Sequence, residues 1–312
     1  MLIVFNLAFG LILLILGGNG LVKGSVALAK KMGISPLVIG LTIVSFGTSS
    51  PELLVSIQAA LAGHGSVAMG NIIGSNSVNI GFILGLSALI YPLSISLQIV
   101  KKELPILIGV TFICSLFLLD GYVSRLEGVL FFAGIFIYTY FSYYLSKRYN
   151  NEKLSKEIEK PVKKQNTVLS TVFIIGGLIL LSFGSNFFVE GAVAAAKLYN
   201  VSEALIGLTI VALGTSLPEL FTSVIASFKK ESDIAVGNII GSNIFNLLGI
   251  LGTASIIKPI SSPQIDIVDF AVMNAFTLLL LPLLWTGFKL TRIEGSILVA
   301  GYIGYLVYLI RF

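Results

Sequence analysis

Two short stretches decide how this chain folds. The sequence GTSSPEL stands at residues 47–53 and GNIIGSN at residues 70–76, and they recur as GTSLPEL at 214–220 and GNIIGSN at 237–243. Between residues 40 and 79, 22 of 40 positions are identical to those 167 residues later, without a gap. The same shift pairs Asn79 with Asn246 and, far outside the motifs, Tyr138 with Tyr305. The chain therefore contains an internal duplication.

The composition around these motifs is that of a membrane protein. Of 312 residues, 56% are hydrophobic and 11% are charged, against roughly 45–50% and 25% in soluble domains. We expect an all-α polytopic membrane protein, because apolar runs bounded by charges or turn residues predict ten transmembrane helices. Their approximate ranges are 2–22, 34–61, 67–90, 104–119, 126–146, 168–189, 203–228, 234–257, 265–285 and 293–310.

Composition also excludes several function classes. One cysteine, Cys114, and one histidine, His64, cannot form a disulfide or a Cys/His metal site within one chain. No HExxH or GxSxG signature is present, so we do not expect an enzyme. The net charge of +5 comes from basic residues between the apolar runs, which indicates membrane orientation rather than nucleic-acid binding.

The duplication divides the chain into two repeats. We expect a first five-helix repeat at 1–146, a linker at 147–167 and a second five-helix repeat at 168–312. Because five is odd, the second repeat must cross the membrane in the opposite sense, as in many secondary transporters. With the N-terminus outside, 16 basic residues fall on the cytoplasmic side and four outside, so we expect both termini to be extracellular and the linker to be cytoplasmic.

Each repeat carries a glutamate deep inside a predicted span, Glu52 in the first and Glu219 in the second. An ionised carboxylate is costly there, and no basic residue lies in the core of a span, so a mobile cation or a proton should compensate it. Pro51 and Pro218 directly precede the glutamates. Proline removes a donor and clashes with the carbonyl four residues earlier, which predicts broken helices whose carbonyls line a polar site.

The polar groups around the glutamates are all hard oxygen donors. Besides carbonyls at 45–48 and 212–215, they are the side chains of Glu52, Glu219, Asn79, Asn246, Thr48, Thr215, Ser49, Ser216, Ser75 and Ser242. Ca2+ takes six to eight oxygens in flexible geometry, and Na+ could occupy a similar cage. Two carboxylates can be neutralised by one Ca2+, by Na+ ions or by protons. Mutually exclusive occupancy of one site with alternating access predicts antiport.

The repeated GTSxPEL and GNIIGSN motifs, each pair followed by an asparagine, resemble the two alpha-repeats of the sodium/calcium exchanger family within the cation/calcium antiporter superfamily. The resemblance covers nearly the whole chain and implies a compact prokaryotic member. It implies that Glu52 and Glu219 bind Ca2+ and share Na+, with the carbonyls of Ser45 and Ala212 joining the side chains named above. It further implies electrogenic exchange of more than two Na+ per Ca2+, with the first and sixth spans sliding against the others.

One position departs from part of that family, since some archaeal and potassium-dependent relatives have Asp where this chain has Asn246. A proton/calcium antiporter that uses the same glutamates is the alternative function, and a cation channel fits two inverted halves poorly. We expect Ca2+ and Na+, or H+, as substrates, and the lipid bilayer of the cell membrane as surroundings. We expect no organic cofactor, no nucleic acid and no obligate protein partner.

Overall fold

The computed structural model describes residues 2–157, 167–198, 212–262 and 266–311, and these are almost entirely helical. The first repeat contains α1 (Leu2–Met32), α2 (Pro36–Ile39), π1 (Gly40–Val44), α3 (Ser45–Thr48), α4 (Ser50–Ala62), α5 (Gly65–Val78), π2 (Asn79–Leu84), α6 (Gly85–Ile90), β1 (Leu93–Ser94), π3 (Ile99–Glu103), α7 (Leu104–Phe117), β2 (Tyr122–Val123) and α8 (Arg125–Glu157).

The second repeat follows nearly the same order. It contains α9 (Thr167–Leu198), α10 (Ala212–Thr215), α11 (Leu217–Phe228), α12 (Ser232–Ile244), π4 (Phe245–Ile250), α13 (Leu251–Ile257), β3 (Ile260–Ser261), α14 (Ile267–Trp285), β4 (Lys289–Leu290) and α15 (Arg292–Arg311). Each of the ten predicted spans overlaps helical structure. The start of the predicted span 203–228, the first residue of span 265–285 and residues 158–166 of the predicted linker lie outside the described residues.

Six helices in the described part of the chain are long and apolar enough to cross a membrane, or seven if one bent pair counts as a single span. The helices are Leu2–Met32, Gly65–Ile90, Arg125–Tyr144, Thr167–Leu198, Ser232–Ile257 and Ile267–Trp285, and the bent pair is Pro36–Thr48 with Ser50–Ala62. The protein is therefore a helical membrane protein, and the full count of ten spans stays a prediction.

The helices α1 and α9, which contain the first and sixth predicted spans, are longer than those spans. The apolar runs end near residues 22 and 189, but the helices continue to Met32 and Leu198. The residues beyond each run include alanines such as Ala27 and Ala194, which favour an α-helix but are less hydrophobic than the leucines and isoleucines of the runs. A helix can therefore extend past the apolar stretch from which its span was predicted.

The two long helices α1 and α9 pack against each other through glycines. A Cβ atom added to Gly10 would lie 2.8 Å from the Gly184 carbonyl oxygen, and one added to Gly17 would lie 2.8 Å from that of Gly177. The partner number falls as the α1 number rises, so the helices run antiparallel. Small residues permit this close approach, and the two helices are equivalent under the 167-residue shift.

The four short strands pair between the repeats with the same reciprocity. Leu93 pairs with Leu290 in one antiparallel ladder, and Val123 pairs with Ile260 in the other. The 167-residue shift relates Leu93 to Ile260 and Val123 to Leu290, so it converts one pair into the other. The two repeats are therefore related by an approximate two-fold rotation in these contacts.

The helices that carry the repeated prolines are interrupted at the predicted place. Between α3 and α4 the chain bends by 45°, and Ser49 there has φ −81° and ψ 9°. Ser216, between α10 and α11, has φ −89° and ψ 8°. In both cases the proline is the second residue of the new helix, where a missing N–H costs little.

The centre of the molecule is formed by Gly65–Ile90 and Ser232–Ile257, which are its most buried long helices. Each contains a π-helical segment that begins at Asn79 or next to Asn246. Wide turns of this kind are frequent at functional sites. The interrupted helices pack on these two central helices, so the repeated motifs meet in the interior.

Candidate cation site

Glu52 and Glu219 lie in the first turns of α4 and α11, directly after the two helix breaks. Their exposed fractions are 1% and 0%. A helix N-terminus stabilises a nearby carboxylate by about 0.3–1 kcal/mol at exposed sites and up to about 2 kcal/mol when partly buried. That contribution is smaller than the cost of burying two carboxylates, so the site requires further compensation.

Each carboxylate accepts a hydrogen bond from a serine of the other repeat. The Ser216 hydroxyl donates to Oε1 of Glu52 at 2.9 Å, and the Ser49 hydroxyl donates to Oε1 of Glu219 at 2.7 Å. These serines are the non-helical residues at the breaks, and neither side chain caps its own helix. The breaks therefore place each serine against the opposite glutamate.

Four oxygens at this place accept no hydrogen bond within the part of the chain that the structure describes. They are Oε2 of Glu52, Oε2 of Glu219, Oδ1 of Asn79 and Oδ1 of Asn246, and all four are buried. Each of the four side chains thus keeps one oxygen without a donor. A buried acceptor without a partner is costly, and a cation is one group that would satisfy all four.

The two asparagines are held by amides of the opposite repeat. Nδ2 of Asn79 donates to Oδ1 of Asn243 at 3.0 Å, and Nδ2 of Asn246 donates to Oδ1 of Asn76 at 3.0 Å. The NH2 end of each amide is therefore used between the repeats, and the oxygen is the end left over.

Two further asparagines support the glutamate helices. Nδ2 of Asn238 donates to the Glu219 backbone carbonyl at 3.4 Å and to the Ser223 hydroxyl at 3.0 Å. Asn71 makes the equivalent pair with the Glu52 carbonyl, at 3.2 Å, and with the Ser56 hydroxyl, at 2.9 Å. These bonds fix the first turns that carry the carboxylates.

The predicted threonines and the second pair of serines lie in the same cluster. Thr48 donates to Oδ1 of Asn238 at 3.1 Å, and Thr215 donates to Oδ1 of Asn71 at 3.5 Å. Ser242 donates to Oε1 of Glu219 at 3.4 Å, and the Ser75 hydroxyl lies 3.4 Å from that of Ser216.

Ser45 and Ala212 were predicted to contribute backbone carbonyls. The Ser45 carbonyl accepts the Ser49 N–H at 3.0 Å and the Thr48 hydroxyl at 3.4 Å. The Ser45 hydroxyl donates to the Leu41 carbonyl at 2.9 Å. Ala212 is the first residue of α10, one turn before the break at Ser216.

Hydrogen bonds thus connect the glutamates with the predicted serine and threonine hydroxyls, and the buried amides of Asn79 and Asn246 lie four residues after Ser75 and Ser242. The sequence analysis missed four asparagines, namely Asn71, Asn76, Asn238 and Asn243. Their signal was present, since they are the two asparagines of each GNIIGSN motif, but the pattern does not reveal that equivalent motifs contact each other.

The donor set determines what the cluster can bind. Its functional groups are carboxylate, amide, hydroxyl and carbonyl oxygens, with two formal negative charges. Such ligands suit hard cations like Ca2+ rather than metals that prefer nitrogen or sulfur. The described residues contain no group of three or more His, Cys, Asp or Glu side chains placed to hold a metal.

Comparison with known families places the chain among ion exchangers. The family described as sodium/calcium exchanger protein matches residues 2–144 and 169–311. CaxA of Alkalimonas amylolytica is 41% identical over 302 residues, covering 95% of each chain. The sodium/calcium exchanger MaX1 of Methanosarcina acetivorans is 31% identical over 361 residues, covering 97% of each. Among solved structures, the sodium-calcium exchanger NCX_Mj, soaked with Na+ and Ca2+, superposes with a TM-score of 0.84 at 33% identity over 98% of each chain.

Proposed function

We propose that this chain, which belongs to the sodium/calcium exchanger family, is a secondary antiporter that exchanges Na+ for Ca2+ by alternating access. The family consists of transporters rather than enzymes. The observation that carries the proposal is the group of four buried oxygens that accept no hydrogen bond from the described residues, one each from Glu52, Glu219, Asn79 and Asn246. Two carboxylates and two amide oxygens match the charge and the ligand type of a divalent hard cation.

We assign twelve residues to the cation site in this proposal. Ca2+ prefers six to eight oxygens, and the four donor-free oxygens would be its core ligands. Hydroxyls and carbonyls would complete the shell and provide places for Na+. The full set is Glu52, Glu219, Asn79, Asn246, Thr48, Thr215, Ser49, Ser216, Ser75 and Ser242, with the carbonyls of Ser45 and Ala212.

Competition for the same carboxylates would couple the two ions. One Ca2+ neutralises Glu52 and Glu219, and Na+ ions can do so only by occupying overlapping oxygens. Suppose that the site switches between the two sides of the membrane only when these charges are neutralised. Each ion must then leave the site before the other can be carried across. This is the physical requirement for exchange.

The proposal includes two inverted five-helix repeats, 1–146 and 168–312, joined by a cytoplasmic linker at 147–167 with both termini extracellular. The antiparallel packing of the equivalent helices α1 and α9 supports the inversion, because helices that run oppositely and both cross the bilayer enter it from opposite sides. The excess of basic residues supports the orientation.

We assign the movement to α1 and α9 against the remaining helices. The two helices contact each other along glycine faces, so they can move as one unit. Several of their residues that face away from this contact, such as Ile12 and Ile175, are more than half exposed, which suits a surface that slides within lipid.

The decisive experiment is 45Ca2+ uptake into proteoliposomes that contain the purified protein. Vesicles loaded with Na+ are diluted into Na+-free medium at equal pH, and choline-loaded vesicles are the control. Uptake that requires internal Na+ and rises with an inside-positive potential is the expected result. Uptake that ignores Na+ but follows an inside-acid pH gradient would overturn sodium coupling and identify a proton/calcium antiporter.

A further inference from the structure

Asn76 and Asn243, the last residues of the two GNIIGSN motifs, form a closed ring of amides between the repeats. The Asn76 side chain donates to the Asn243 backbone carbonyl at 3.3 Å, and the Asn243 side chain donates to that of Asn76 at 3.3 Å. Their oxygens accept from Asn246 and Asn79, each at 3.0 Å. All four amides are about 1% exposed.

We propose that Asn76 and Asn243 are positioning residues that hold the amides of Asn246 and Asn79 with their oxygens toward the transported cation. This inference rests on the proposed cation site. Neither residue needs to touch the ion, because each acts on a proposed ligand contributed by the opposite repeat.

The argument starts from the asymmetry of an amide. An asparagine side chain ends in one oxygen and one NH2 group, and rotation by half a turn exchanges them. With oxygen toward the site, Asn79 is a cation ligand. With NH2 toward the site, it repels the cation. The bond from Nδ2 of Asn79 to Oδ1 of Asn243 decides between these two arrangements.

The ring also fixes the positioning residues themselves. If Asn243 rotated, its NH2 group would face the NH2 group of Asn79, and its oxygen would face the Asn76 carbonyl oxygen. Both contacts would become repulsive, at a place where water does not reach. The reversal of one amide therefore breaks two bonds at once, which makes the orientation cooperative.

A purely structural alternative is that the ring only joins α5 to α12. The two roles differ when the ligand amide is replaced by a carboxylate. A carboxylate presents oxygen at both ends, so it requires no orientation. Asn246→Asp should therefore remove the need for Asn76 as a positioning residue, whereas it would not remove a need for a link between helices.

The test is a double-mutant cycle on the full-length protein. Ca2+ affinity is measured by titration calorimetry in detergent and by the external Ca2+ concentration at which uptake into proteoliposomes is half-maximal. Asn76→Leu alone should weaken Ca2+ binding about 10- to 100-fold, as loss of an outer partner of a metal ligand typically does. In the Asn246→Asp background an aspartate oxygen would replace Nδ2 opposite Oδ1 of Asn76, so the same substitution removes a repulsive contact and should not weaken Ca2+ binding. Equal losses in both backgrounds would indicate additive, structural effects and would overturn the proposal.

The second repeat provides an independent copy of the test, with Asn243→Leu in the wild-type and Asn79→Asp backgrounds. Alanine replaces leucine for any variant that does not fold. Failure of all these variants to fold in both backgrounds would assign the ring a structural role and also overturn the proposal. Binding and uptake by the wild type report separately on the cation site, so failure of the proposed exchange would be seen before any asparagine is changed.

Discussion

The helices Gly65–Val78 and Ser232–Ile244 contain the same heptapeptide but lie in different surroundings. In the span Gly65–Ile90, 78% of the most apolar stretch is buried, whereas in Ser232–Ile257 all of it is. A Cβ atom added to Gly241 would lie 2.5 Å from the Leu41 carbonyl oxygen, while one added to Gly74 meets no atom of the described residues within 4 Å. Identical sequence therefore does not give identical packing here.

The difference shows which parts of the two-fold arrangement hold and which do not. The serine–carboxylate bonds between the repeats and the amide ring are matched in both repeats, but the packing around Gly74 and Gly241 is unequal. Under the proposed alternating access, the opposite state arises when the repeats exchange surroundings. Gly74 would then take the crowded environment that Gly241 has in the structure.

The largest expected effect concerns the two buried carboxylates, at which the repeats are alike. Glu52→Gln and Glu219→Gln should each reduce Na+-driven 45Ca2+ uptake to background, because each removes one of the two charges that balance Ca2+. The losses should be alike, since both carboxylates are fully buried and serine-bonded. Glu103→Gln, at a buried carboxylate outside the site, is the matched control and should retain uptake. Wild-type uptake in either correctly folded site variant would refute the assignment.

The next largest effect uses the unequal glycines. Gly74→Ala adds a methyl group that meets none of the described residues within 4 Å in this structure. It would meet backbone once the repeats exchange surroundings. Overpacking of this kind costs about 1–3 kcal/mol, which shifts the populations about 5- to 150-fold. We expect Gly74→Ala to retain Ca2+ binding and thermal stability while the uptake rate falls about fivefold or more.

Gly241→Ala should behave differently, because it destabilises the described state itself and should lower the midpoint of thermal unfolding. Gly109→Ala is the control and should leave uptake unchanged, because a Cβ atom added to Gly109 also meets no described atom within 4 Å. Wild-type uptake by Gly74→Ala would break the link between the asymmetry and the transport cycle.

The sequence was sufficient to predict the duplication, the interrupted helices and the buried glutamates. Each has a local cause, such as Pro51 without its N–H group or Glu52 without a basic neighbour in its span. It was not sufficient for the contacts between Asn76 and Asn243, because two copies of one motif look the same whether they touch or lie far apart. The predicted lengths of α1 and α9 were wrong for another reason. The length of an apolar run reflects the thickness of the bilayer, and a helix can continue beyond it.

A smaller effect is expected at the crossing of the two long helices, where the repeats again match. Gly177→Ala places a methyl group 2.7 Å from the backbone nitrogen of Leu21, whereas a Cβ atom added to Gly176 meets no described atom within 4 Å. Gly177→Ala should therefore separate α1 from α9, reduce uptake about three- to tenfold and cost about 1–3 kcal/mol of stability. Gly176→Ala is the control, and equal behaviour of the two variants in unfolding and uptake assays would argue against this close packing.

The smallest effect separates the two asparagines that support the glutamate helices. Asn238 is fully buried and Asn71 is half-buried, so water can replace the lost amide of Asn71→Ala but not that of Asn238→Ala. Unsatisfied buried partners cost about 1–3 kcal/mol, and we expect Asn238→Ala to be less stable than Asn71→Ala by about 1 kcal/mol. Thermal unfolding in detergent measures the difference, with Asn19→Ala as an amide control outside the site. Equal destabilisation would mean that water reaches both repeats alike, and the unequal surroundings of the two motifs would then have no energetic consequence at the site.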